Sequence, residues 1–105
     1  MKIRDSEDVR YLLKKTGRRL NPNQRLVVLL YASSEQRPDG GVMEKASDLA
    51  ETLGMTPAAF SRTRKELAAE GWLEAVENFG RVKIYRLAPA ITKDRAGGHL
   101  RVVGS

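Results

Sequence analysis

Apolar spacing divides the chain into four helical stretches followed by an alternating pair. Val9, Leu12 and Leu13 recur at helical intervals behind Asp5 and Ser6, both suitable N-caps, and Glu7 and Asp8 suit a first turn. Lys14 and Lys15 supply a basic last turn and Gly17 a stop, so a short first helix is predicted. Asn21 and Pro22 open the second helix, an N-cap with proline at the first helical position. Its Leu26, Val27, Leu29, Leu30 and Tyr31 leave little polar face, which predicts a central strut covered on several sides. Pro38 and the paired Gly40 and Gly41 then break the chain, and Val42 with Met43 forms a candidate short strand.

Two shorter patterns follow. In residues 46–53, Leu49 and Leu53 lie four apart and face one core, with Ala50 small enough to let a second helix cross closely. A helix this short needs packing to persist. Gly54 stands where a left-handed backbone ends it, Met55 is expected to turn inward, Thr56 caps the next helix, and Pro57 fills its first turn. Residues 57–70 bury Phe60 and Leu67, with Thr63 and Arg64 between them, and Gly71 is the stop. Ala58, Ser61, Arg62 and Lys65 then share the opposite face. Residues 72–77 and 81–87 alternate as strands around Asn78, Phe79 and Gly80. Trp72 and Leu73 anchor the first strand, Val82, Ile84 and Leu87 form the inward set of the second, and Arg81 and Lys83 stand near the tip. From Ala88 helical periodicity is lost. The expectation is a partly ordered tail over 88–105 with residues 99–103 as a candidate edge strand, behind a helix and basic linker (1–20) and one domain (21–87).

Composition narrows the chemistry. At 105 residues the chain is expected to hold one modest core. Without cysteine it has no thiolate nucleophile, disulfide or thiolate metal site, and its one histidine, His99, is too few for a usual zinc site. It shows no phosphate-binding P-loop, dinucleotide fingerprint, nucleophile elbow or EF-hand-like loop. Neither an enzyme nor a cofactor is therefore expected. No apolar run approaches the roughly 18 residues of a membrane span, and the first ten residues lack a signal-peptide centre, which predicts a cytoplasmic protein. A net charge of +6 points to an acidic partner. The charge is uneven, with eight Lys/Arg against three Asp/Glu in residues 1–25 but two against five in residues 26–55.

The spacing from Ala50 to Gly54 to Phe60 resembles the helix-turn-helix family, and FSRTRKELAAEGWLE (60–74) resembles the recognition helix and first wing strand of bacterial winged helix-turn-helix regulators such as the MarR, GntR and Crp groups. The resemblance covers residues 42–87. It implies a mainly α, α+β fold with three core helices, an extra N-terminal helix and a two- to three-stranded wing sheet. The implied partner is double-stranded DNA, with Thr56, Ala58, Ser61, Arg62, Arg64 and Lys65 on the recognition helix and Arg81 and Lys83 on the wing. Thr63 and Arg64 stand where those families usually place an apolar residue; Arg64 is expected to lay its stem on the core and keep its head wet. Arg18, Arg19 and Arg25, beside Lys14 and Lys15, are candidate phosphate contacts. Small regulators of this kind bind as two-fold dimers, for which the first helix or the C-terminal tail is free.

Blander readings compete at several positions. Wing cations also protect sheet edges. Trp72 and Tyr85 are simplest as core, and Phe79 as a turn residue folded back on the hairpin. The expected function is a sequence-specific DNA-binding transcriptional regulator of repressor type, and three others stand beside it: a plasmid or phage replication or partition factor, a winged-helix protein-interaction module, and a basic membrane-surface protein. Arg62, Arg64 and Lys65 argue against the interaction module, and the lack of an amphipathic helix with exposed aromatics argues against the membrane.

Overall fold

In the computed structural model, which describes residues 1–93, the chain order is α1 (Ser6–Thr16), α2 (Pro22–Ser33), α3 (Ala46–Leu53), α4 (Pro57–Ala69), β1 (Leu73–Phe79) and β2 (Val82–Leu87). His99 and the candidate strand 99–103 lie outside the described residues. Three helices begin where side chains satisfy their free N–H groups. Asp5 accepts from Asp8 N at 3.0 Å, and Thr56 from Ala59 N at 3.1 Å. Asn21 and Gln24 make a reciprocal capping box at 2.9 and 3.0 Å. Lys45 precedes α3 and gives it no side-chain cap. Gly54 closes α3 at φ +69°, in the left-handed region; space there is open, so the demand for glycine is torsional. Gly17, in contrast, ends α1 in the right-handed region at φ −57°.

α2 is the strut around which the rest packs. Its Val27, Val28, Tyr31 and Ala32 are buried against Leu12 of α1, Leu49 and Ala50 of α3, Phe60 and Leu67 of α4, and Trp72, Leu73 and Leu87 of the hairpin. Its outer side is not fully covered, since Leu26 remains 43% exposed. The N-terminal segment closes the end of this helix. Ile3 N donates to Ala32 O at 2.8 Å, and Lys2 Nζ reaches Ser33 O and Ser34 O at 2.9 and 2.7 Å, a cation on the last carbonyls.

β1 and β2 pair antiparallel from Leu73↔Leu87 through Glu74↔Arg86 and Ala75↔Tyr85. A bulge then passes over Val76, and pairing resumes at Glu77↔Ile84. The third strand reduces to one bridge, in which Val42 N donates to Tyr85 O at 2.9 Å. Ile84 and Leu87 are both buried but on opposite faces of β2, so the predicted inward set is divided. Leu87 joins the helical core, whereas Ile84 sits over Gly41, where a Cβ would come within 2.7 Å of Ile84 Cγ2. Phe79 is 66% exposed and does not fold back on the hairpin. Beyond β2, residues 89–93 are helical, with Thr92 buried and Ile91 packed on the core, although the sequence there lacks helical periodicity.

Candidate nucleic-acid interface

The periodicity of α4 sorts its side chains into two faces. Phe60, Thr63, Arg64 and Leu67 are buried, while Ala58, Arg62 and Lys65 are exposed and Ser61 is half-buried beside them. Thr56 is exposed at the N-cap, its hydroxyl engaged by Ala59 N. Among the described residues Arg62 and Lys65 have no carboxylate partner.

Arg64 departs from the sequence expectation. The whole residue is only 6% exposed, so most of its head is covered and it does not belong to the outer face of α4. Its guanidinium carbon lies 4.6 Å from the centre of the Tyr85 ring and 5.3 Å from that of Phe60. Nη1 donates to Tyr31 Oη at 3.3 Å. Aromatic rings and a phenol thus replace the usual carboxylate. Burial pushes the Tyr31 phenol above its ordinary pKa, and the hydrogen bond from Arg64 opposes that rise.

The hairpin divides its charges by face. Glu74 receives Arg86 Nε at 3.1 Å, and Glu77 receives Arg37, which also holds Asp39 at 2.6 Å. The bulge is what puts Glu77 on this face. Gly41 N donates to Asp39 at 2.8 Å, and this bond, with Arg37 beside it, holds the Asp39 carboxyl below the usual carboxylate pKa. Lys83 shares the other face with Tyr85, and Arg81 precedes it at the turn. Both are exposed and neither is paired with a carboxylate among the described residues. Ser61, Arg64, Lys65, Arg81, Lys83 and Tyr85 border one cleft between α4 and the hairpin.

The basic patch near α1 divides as well. Arg18 and Arg19 are exposed and line a shallow hollow with Lys14 and Lys15. Arg25 is turned inward, Nε donating to Thr16 Oγ1 at 3.1 Å and Nη2 to Leu13 O at 3.0 Å. It ties the end of α1 to α2, leaving Nη1 as the guanidinium nitrogen without a bond among the described residues. A larger hollow, about 530 Å³, lies between the N-terminal segment and the end of β2. Its carboxylates are already engaged, Asp8 by Arg4 and Asp39 by Arg37. Among the described residues no group of three or more His, Asp or Glu could hold a metal ion, and no helix is long and apolar enough to cross a membrane.

No protein-family model and no curated protein matches the chain. Solved structures do resemble it. A structure described as the predicted DNA-binding transcriptional regulator from E. coli is 21% identical, with 93% of this chain and 90% of that one covered at a TM-score of 0.53. The adhesin competence repressor AdcR from Streptococcus pyogenes is also 21% identical, with 93% of this chain and 72% of that one covered at a TM-score of 0.50. With α1–α4, a Gly54 turn and a hairpin in this order, the chain has the winged helix-turn-helix fold.

Proposed function

We propose that the protein is a sequence-specific transcriptional regulator of repressor type that binds double-stranded DNA and carries out no catalytic step. In this reading α4 enters the major groove and the hairpin lies beside it on backbone and minor-groove edges. The observation that carries the reading is the separation of charge. Arg62, Lys65, Arg81 and Lys83 stand exposed and unpaired on one side, while Glu74, Glu77 and Asp39 are neutralised elsewhere on the hairpin and its adjoining loop. A surface that bound nothing acidic would have no need to keep its carboxylates from its cations. The names of the two similar structures, a DNA-binding regulator and a repressor, support the same reading.

Within it, Arg62 is the base reader, able to pair with guanine through two hydrogen bonds worth roughly 1 to 3 kcal/mol of discrimination. Thr56 and Ser61 add hydroxyls, and Ala58 lets the backbone approach. With so few base-edge donors, DNA shape takes a large share of the selectivity. Arg18 and Arg19 flank the backbone. A homodimer through α1 or the C-terminal tail would present two recognition helices.

Fluorescence anisotropy of a mixed-sequence duplex, titrated across a salt series beside Arg62→Ala, tests the proposal. Affinity should fall steeply with salt, by a log–log slope of about 0.9 per phosphate neutralised, and should fall again in the variant. A folded protein that binds no duplex at low salt would overturn it.

A further inference from the structure

The cleft between α4 and the hairpin, about 240 Å³, has features that a general basic surface does not need. Arg64 forms its floor as a nearly buried cation whose one hydrogen bond is to a neutral phenol. No buried side-chain nitrogen among the described residues lacks a partner, and only Nη1 of Arg64 is bonded. Its Nε and Nη2 must therefore still touch solvent, and the cleft is the opening that Arg64 lines. Lys65 from α4, and Arg81 and Lys83 from the hairpin, stand around the same space without carboxylate partners. Ala46, first residue of α3, closes one end of it. Lys45 supplies no side-chain cap, so the positive end of α3 there is met only by its own first turn, where Asp48 lies and its N–H bonds Lys45 O.

From these observations we infer that the cleft is a built phosphate site, in which Arg64 and the start of α3 form a fixed base and Lys65, Arg81 and Lys83 close over one phosphoryl group. Burying a cation without a counter-charge is costly, and an oxyanion arriving in the cleft relieves that cost. The chemistry is that of a tetrahedral dianion or diester. The occupant is one DNA backbone phosphate, which deepens the reading above and rests on it, or a free phosphorylated ion that would compete with DNA.

One clamped phosphate and several separate contacts make different predictions. A duplex carrying a neutral methylphosphonate at successive positions is titrated with wild-type protein and with Lys65→Ala and Arg81→Ala, two exposed substitutions that spare the core. The expected result is one backbone position where the modification weakens wild-type binding about tenfold, as loss of a charge-assisted bond does. At that position neither substitution should weaken binding further. Lys65 and Arg81 coupling to different phosphates, or to none, would overturn the clamp while leaving DNA binding intact. A second arm needs no DNA: inorganic phosphate is titrated at constant ionic strength against chloride, with backbone amide resonances as readout. Saturable shifts at Ala46, Ser61 and Tyr85, lost in the Lys65→Ala, Arg81→Ala double variant, are expected. Shifts spread equally over Arg18 and Arg19 would overturn the site. If no duplex binds but phosphate does, the DNA reading falls and the cleft stands with the free ion as occupant.

Discussion

At the scale of single residues, Arg64 has the largest expected effect. Its stem and head fill space among Tyr31, Phe60 and Tyr85, so Arg64→Ala removes packing from three elements together. A desolvated cation–aromatic contact is worth about 2 kcal/mol, and the cavity adds to it. Urea denaturation should show a loss of at least about 2 kcal/mol. Arg64→Met keeps most of the volume and removes the buried charge, a change that is often close to neutral for stability. If the phosphate site is real, Arg64→Met should still bind DNA more weakly, with its stability little changed. Gly41 is the second such residue. An alanine there would press its Cβ to 2.7 Å from Ile84 Cγ2 and 3.0 Å from Asp39 Oδ1, inside the brace of the hairpin. Neither neighbour is free to move, so Gly41→Ala should lower stability by about 1 to 3 kcal/mol in the same measurement.

At the scale of elements, what the sequence disclosed was local. Asn21 before Pro22, Thr56 before Pro57, and Gly54 are start and stop signals whose partners lie within four residues, so the starts of α2 and α4 and the end of α3 could be read directly. Arg64 could not. Its burial depends on Tyr31, 33 residues earlier, and on Tyr85 in β2, and no spacing rule links them. The division of Ile84 from Leu87, the bulge at Val76 and the docking of Ile3 on Ala32 are likewise tertiary outcomes. Arg25 reads from sequence only as a cation in a basic stretch; that its Nε and Nη2 reach two acceptors on α1 is again set by packing. The brace at the base of the hairpin has a pH signature. The Asp39 carboxyl is held below its ordinary pKa by Gly41 N–H and then by Arg37, so the folded state favours the ionised form. Its contribution is therefore complete above the unfolded value of about 3.9 and is lost as pH falls through the lower folded value. Melting temperatures of wild type and Asp39→Asn should differ at neutral pH, and that gap should narrow only below about pH 4. A gap that closes near pH 6 would implicate another group.

For the whole molecule, function depends on where charge and apolar surface remain after folding. The core takes most of the apolar side chains, yet Leu13 at the end of α1 stays 37% exposed and Leu26 on the outer side of α2 stays 43% exposed. Arg25 bonds both to Leu13 O and, through Thr16, to the same helix end, which holds these two segments together. A single exposed leucine is ordinary, but two on joined helices are suited to a self-complementary contact. If the regulator is a dimer through α1, Leu13→Glu would place a carboxylate in that contact while leaving Leu12, the neighbouring residue that α1 buries fully, in the core. Sedimentation velocity should then show wild type as a dimer at micromolar concentration and the variant as a monomer. Binding to a palindromic duplex should fall at least tenfold in the variant, while binding to one half-site should be unchanged, since each subunit keeps Arg62, Lys65 and the wing. Two recognition helices linked in one particle gain affinity through effective concentration, with no new contact to DNA. A wild type that sediments as a monomer, or a variant that still dimerises, would remove α1 from the interface and leave the C-terminal tail as the remaining route to a two-fold complex.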